Sequence, residues 1–288
     1  MDAAFGTPGR CRTHRVEGMA ELAACRGPGW IPYRRADEIL HVFERILAAN
    51  GAASRDRYIL AGPPNNGKTA LIDRLLARHP PSLNASGTNT RYPVFCPEAP
   101  PAPIFRRWFH SAIRKIGGLP VTCPDAEAIR YLGETLRAIE TRLIVLDEAQ
   151  RLGAGAIHQR EEFLSSLAQV ALRAKAGIVL VGTGDILKLA SAAEHFTLLS
   201  LPAWPIDDEF RGMAGGLESG LSPKQPIGAA AQATRLHSLC EGLLGELVTI
   251  LTSLGSHVPP FREALSLTEN LDLWVPPSKR FERAYESL

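Results

Sequence analysis

Apolar residues recur at helical spacing from Ile31 to about Asn50, where Ile39, Leu40, Phe43, Ile46 and Leu47 form one stripe that the polar run NGAAS stops. A short apolar strand, Tyr58 to Ala61, follows, and the pattern returns to a helical period from Lys68 to about His79, with Leu71, Ile72, Leu75 and Leu76 on one face before Pro80 and Pro81 end it. A second strand is predicted over Arg91 to Cys96. Beyond the proline-rich EAPPAP lies a helix carrying Ile104, Phe105, Trp108 and Phe109, and another helix runs from about Asp125 to Ile139. The runs Leu143 to Leu146 and Ile178 to Val181 have the length and branching of strands buried on both faces, with a helix over Arg160 to Ala174 between them and a last strand near Leu198 to Leu201.

Strands alternating with helices over residues 31 to about 205 define a doubly wound α/β sheet with parallel strands. Past Trp204 the pattern is helical: Ile206 to about Leu217, Ala229 to Cys240, and Leu243 to Leu254, the last preceded by EGLLGE, whose glycines predict a close approach between two helices. The expected organisation is a poorly ordered arm over 1–29, a nucleotide-binding α/β domain over 30–204, a small helical lid over 205–256, and a weakly patterned tail over 257–288.

Between the strand ending at Ala61 and the helix starting at Lys68 the chain reads GPPNNGKT, which satisfies GxxxxGK[ST] in the strand-loop-helix context that gives the pattern meaning. Gly62 and Gly67 allow the backbone of Pro63, Pro64, Asn65 and Asn66 to wrap a phosphate chain, with amides and the helix N-terminus turned to negative charge. Lys68 would reach the β- and γ-phosphates of ATP, and Thr69 would ligate Mg²⁺. Seventy-nine residues beyond Lys68, the buried strand LIVL delivers Asp147 and Glu148, the first to hold Mg²⁺ through water and the second to orient or deprotonate an attacking water. Thr183, after IVLVG, is placed to sense the γ-phosphate or position water; it can equally cap the turn before Gly184 and Asp185.

Composition narrows the picture without choosing a partner. With 288 residues, 45% of them hydrophobic and 22% charged, the chain has material for a sizeable core. No stretch approaches the roughly 18 to 20 apolar residues of a membrane span, and MDAAFGTPGRCRTHR lacks the apolar centre of a secretory signal, so a cytoplasmic protein is expected. The five cysteines never form CxxC and the histidines never form HxxxH, which argues against a zinc site. A net charge of +2 leaves nucleic-acid binding open.

Taken as a set, WIPYRRADEIL, NNGKT, the APP stretch after the second strand, LDEAQRL, VGTGD, LPAWPIDDEF and EGLLGE resemble the TniB-like AAA+ ATPases, accessory proteins of bacterial transposition related to the TnsC target regulators. The resemblance runs from about Trp30 to Leu254. It implies ATP-dependent assembly of a homo-oligomeric ring or filament on double-stranded DNA and recruitment of a DDE transposase. Residue by residue it implies Lys68 and Thr69 for nucleotide and Mg²⁺, Asp147 and Glu148 for hydrolysis, and Thr183 as polar sensor. Arg106, Arg107, Arg114 and Lys115 become candidates for phosphate contacts on DNA, against the alternative of a solvated helix face.

The chain departs from the family where relatives usually carry arginine before the phenylalanine of SAAEHF: here His195 precedes Phe196, and GLLGELVTIL has no arginine either. A mostly neutral imidazole lacks the planar donor fork that arginine gives to phosphate, so slow hydrolysis with intact ATP binding is expected. A nucleotide-gated interaction module with little turnover is therefore the alternative to a DNA-associated ATPase, whereas a small-molecule kinase fits the Asp-Glu pair and the helical domain poorly. Replacing His195 by arginine is expected to raise ATP turnover, and an unchanged rate would remove the argument.

Overall fold

The computed structural model describes residues 29–49, 56–83, 87, 89–189, 196–221, 227–256 and 266–280. Residues 1–28 of the expected arm over 1–29, and His195, lie outside these residues.

Five parallel strands form the central sheet. β1 (Arg57–Ala61) pairs with β6 (Gly177–Gly182) on one side and with β7 (Thr197–Ser200) on the other, so that Tyr58 lies opposite both Val179 and Thr197. Beyond β6 come β5 (Leu143–Leu146) and then β4 (Val94–Phe95) at the far edge. The chain therefore leaves β1 for the opposite edge and works back, which opens a crevice at the C-terminal strand ends. Every residue of β5 and β6 is buried, as their unbroken apolar runs require.

Alternate strand residues serve two cores. Leu60, Leu143, Val145, Val179 and Val181 face α1 (Arg34–Ala48) and α2 (Lys68–Arg78), through Ile39, Leu40, Phe43, Leu71 and Leu75. Ile59, Ile144, Leu146, Ile178 and Leu180 face α3 (Phe105–Lys115), α4 (Asp125–Ala138) and α5 (Ile157–Ala174), where Trp108, Phe109, Leu132, Leu136, Phe163 and Leu167 are buried. Both faces of the sheet are covered, as an all-parallel sheet demands.

The helical segment continues the first core. α6 (Asp208–Leu221), α7 (Ala233–Cys240) and α8 (Leu244–Ser256) bring Phe210, Met213, Leu236, Leu247 and Ile250 into the cluster that contains Leu60 and Val181. Glu218, buried on α6, accepts the backbone N–H groups of Ile227, Gly228 and Ala229 at 2.5, 3.1 and 2.8 Å, which satisfies the turn before α7.

Four expectations need correction. The strand over 91–96 is broken: β3 (Thr90–Arg91) pairs antiparallel with β2 (Ser82–Leu83), and only β4 joins the main sheet. Pro93 separates them because it has no N–H to give a ladder; its carbonyl instead accepts from Arg142 and Leu143 at 2.9 and 3.1 Å. The helix predicted from Ala229 starts at Ala233, since Gly228, at φ 69°, opens a turn closed by Ala231 N and Gln232 N on its carbonyl. The weakly patterned tail contains α9 (Leu267–Asp272), capped by Ser266, whose hydroxyl accepts from Glu269 N at 3.3 Å. The glycines of EGLLGE do not bring two helices together: a Cβ on Gly242 would lie 2.3 Å from the carbonyl oxygen of Trp204, and one on Gly245 would lie 1.9 Å from Asn65 Oδ1. Gly242 makes room for the chain at Trp204, and Gly245 brings α8 onto the loop between β1 and α2.

Candidate nucleotide-binding site

That loop, Gly62 to Gly67, is held from three sides. Gly62 N donates to Gly182 O at 3.3 Å, and a Cβ at Gly62 would fall 2.2 Å from the carbonyl oxygen of Leu201, so only glycine lets the chain beyond β7 pass this close. Asn65 and Gly67 both take left-handed backbone conformations, with φ of 56° and 83°. Gly67 caps α2 without any side-chain partner for the helix's first amides, and no acidic residue occupies its first turn. An uncapped N-terminus behind a loop of this curvature is a site for an anion.

The two asparagines do not point their amides at a ligand. Asn66 is buried; its Nδ2 donates to Leu201 O at 3.1 Å and Pro202 O at 2.7 Å, and its Oδ1 accepts Leu244 N at 3.3 Å. Asn65 donates through Nδ2 to Glu246 Oε1 at 3.1 Å, and its carbonyl accepts Gly245 N at 2.8 Å. What the loop can offer to phosphates is therefore its backbone, while its side chains tie it to α8 and to the segment after β7.

Lys68 is largely buried, and its ammonium donates to Gly62 O at 3.1 Å and Pro63 O at 2.5 Å. Desolvation pulls its pKa below the ordinary lysine value, and the nearby carboxylates of Asp147 and Glu148 oppose the shift. Thr69 Oγ1 donates to Asp147 Oδ2 at 2.8 Å, which brings together a hydroxyl and a carboxylate, oxygen donors of the kind a hard divalent cation takes. Asp147 Oδ1 accepts the backbone N–H of Glu148 at 2.8 Å, so the carboxylate is fixed in orientation.

Glu148 takes φ 57° and starts the 3-10 turn Ala149–Ala154. Its Oε2 accepts Gln150 Nε2 at 2.8 Å, and Gln150 Oε1 accepts Thr183 N at 3.3 Å. Gln150 was not singled out from sequence, yet its amide spans the two strand ends. Gly182 makes room for it, since a Cβ there would lie 2.5 Å from Gln150 Oε1. Thr183 contributes its backbone to this bridge, and its carbonyl accepts Ile186 N at 2.9 Å at the start of the next 3-10 turn.

A cavity of about 230 Å³ lies beside the loop, lined by Tyr33, Arg34, Leu201, Pro202 and Trp204. The carbonyls of Leu201 and Pro202 are those that hold Asn66, so cavity and loop share a wall. The rings of Tyr33 and Trp204 have centroids 4.7 Å apart, and burial, with Glu209 and Asp37, pushes the Tyr33 phenol up to about 12, so it stays neutral. Sequence analysis missed this cavity because Tyr33 and Trp204 meet only through the fold; their presence in WIPYRR and LPAW was the available signal.

Of the four basic candidates on α3, two have structural partners. Arg106 donates to Asp125 Oδ1 and to Cys123 O, both at 2.6 Å, and Lys115 Nζ donates to Cys96 O. Arg107 and Arg114 are exposed and, seven residues apart, share one face of the helix. Among the described residues no helix is long and apolar enough to cross a membrane.

The sheet order and the loop, with helices packed against the same core, define the fold class: this is an AAA+ P-loop NTPase fold. Solved structures with the same fold include the ORC2 protein of Aeropyrum pernix in its ADPNP-ADP complexes, with 19% identity, a TM-score of 0.56, and coverage of 85% of this chain and 71% of that one. Others are CDC6P from Pyrobaculum aerophilum, at 15% identity, TM-score 0.52, and coverage of 81% and 65%, and PCH-2 of C. elegans, at 15%, 0.53, 88% and 70%. No curated protein matches the chain at a significant level. Residues 21–205 match the model of the bacterial TniB protein, and the chain belongs to that family.

The tether through Asn66 makes a stability prediction. Asn66→Ala removes three hydrogen bonds and leaves buried partners unmatched, at a cost of about 2 kcal/mol, or roughly 4–8 °C in Tm by scanning calorimetry. An unchanged Tm would show that the tether holds nothing.

Proposed function

We propose that the chain is an ATP-dependent regulator of bacterial DNA transposition that assembles as a homo-oligomer on double-stranded DNA and recruits a DDE transposase. The observation that carries the nucleotide part is the pairing of Thr69 Oγ1 with Asp147 Oδ2 at 2.8 Å beside a buried Lys68 at an uncapped helix N-terminus. Family membership supports the transposition part, and ORC2, solved in ADPNP-ADP complexes, has the same fold.

In this reading the backbone N–H groups of Asn65, Asn66 and Gly67, with those at the start of α2, cradle the phosphates, and Lys68 leaves the carbonyls of Gly62 and Pro63 for the β- and γ-phosphates. Its partial burial strengthens that attraction, because a desolvated cation interacts strongly with a polyanion. The cavity against Tyr33 and Trp204 accommodates the base. Thr69 and Asp147 would hold Mg²⁺, which neutralises charge on the phosphates when bound. Glu148 orients or deprotonates water, with the Thr183 hydroxyl as the polar sensor, and Gln150 fixes the Glu148 carboxylate relative to the end of β6. Arg107 and Arg114 supply the exposed positive face for DNA phosphates, with Arg106 and Lys115 beside them.

A second reading, a nucleotide-gated interaction module with little turnover, is favoured by one contact: Glu148, although exposed, already has its Oε2 engaged by Gln150. Stimulation of ATP hydrolysis by duplex DNA supports the first reading, and its absence the second.

Two experiments test the proposal. Isothermal calorimetry with Mg-ATP is expected to show binding heat that Lys68→Ala abolishes and Gln150→Ala retains, while Gln150→Ala slows turnover at saturating ATP; heat that survives Lys68→Ala would contradict the site. Replacing Arg107 and Arg114 by alanine is expected to reduce the slope of log K against log salt for duplex DNA by about 2, and an unaltered slope would remove them from the interface.

A further inference from the structure

The segment 266–280 returns to the phosphate loop. Arg280 meets Glu246 with both terminal nitrogens, Nη1 to Oε1 at 3.1 Å and Nη2 to Oε2 at 2.6 Å. Its Nε donates to Val275 O at 2.9 Å and its guanidinium lies 5.0 Å from the centre of the Trp274 ring, so the fork is fixed in one orientation. Ser278 fastens the same stretch to Glu241, its backbone N–H lying 3.1 Å from Oε2, and Arg235 of α7 pairs with Asp272 of α9. The segment is thus fastened to α7, to the residue that caps it and to the start of α8.

Glu246 sits in the first turn of α8 and is buried, and the oxygen that Arg280 contacts also accepts the amide of Asn65. A carboxylate is therefore one hydrogen bond from the backbone that would receive a triphosphate. The start of α8 favours that charge, yet a buried anion this close repels phosphates through a low-dielectric medium unless a cation matches it. Arg280 is that cation, half-exposed and bidentate.

We infer that Arg280 neutralises Glu246 so that the loop can accept a triphosphate, which makes docking of the C-terminal segment and nucleotide affinity mutually dependent. The inference rests on the reading of Gly62 to Thr69 as the triphosphate site. Because coupling between sites is reciprocal, bound nucleotide in turn holds the segment more firmly.

Calorimetry with Mg-ATP on the full chain tests it with four proteins besides wild type: Lys68→Ala, Arg280→Met, Glu246→Gln, and the double variant Glu246→Gln/Arg280→Met. Arg280→Met is expected to weaken binding about tenfold, within the range usual for coupled sites. Glu246→Gln, which keeps an acceptor for Asn65, is expected to bind as wild type does, and the double variant to recover to within about threefold of it. Should Arg280→Met fold poorly, the double variant and the amide exchange of residues 266–280, expected to slow on adding Mg-ATP to wild type, still decide the matter. Wild-type affinity in Arg280→Met, no recovery in the double variant, or exchange indifferent to Mg-ATP would overturn the inference while leaving the triphosphate site intact. Wild-type heat unaffected by Lys68→Ala would overturn both.

Discussion

A loop that binds phosphates through backbone amides must be rigid before the ligand arrives, because each amide that has to be ordered on binding weakens the complex. In this chain rigidity is enforced by the buried amide of Asn66, which ties the loop to Leu201 and Pro202 beyond β7 and to Leu244 at the start of α8. Asn65 adds a second tie to Gly245 and Glu246. The sheet, the lid and the loop are joined there, and the placement of Lys68 and Thr69 follows from it. Glycine is required at Gly62 and Gly245 for the same reason, since a Cβ at either would strike the tether.

The lid has no separate core. Phe210, Leu236 and Leu247 share a cluster with Leu60 and Val181, so movement of the helical segment is resisted by apolar packing on the sheet as well as by the asparagine contacts. The loop and α8 are also joined directly, through both Asn65 and Asn66. On the opposite side of the crevice, Gln150 links Glu148 to the end of β6, so the two strand ends that face the loop also act together.

The fold was legible because its strongest signals are local. Unbroken runs such as LIVL and IVLV have the length and branching of strands inside a parallel sheet, and GPPNNGKT lies between the strand and the helix its pattern requires. Thr69 and Asp147 meet at 2.8 Å, although 78 residues separate them. Less legible were features decided by long-range contact. Pro93 split a strand that propensity ran together, and the short α9 carries too little periodicity to declare itself. The asparagine side chains tie their loop to α8, 178 residues away for Leu244 N, a distance no pattern spans. Arg106 and Lys115 looked free and have partners supplied by neighbouring segments.

The central claim is that the loop before Lys68 receives a triphosphate opposite Asp147. Its most direct test is an experimental structure of the chain with Mg²⁺ and a non-hydrolysable ATP analogue. The account predicts phosphates against the backbone N–H groups of Asn65, Asn66 and Gly67, the Lys68 ammonium moved from the Gly62 and Pro63 carbonyls onto them, and Thr69 and Asp147 at the metal. Nucleotide bound elsewhere, or Lys68 still resting on those two carbonyls with the analogue present, would contradict it.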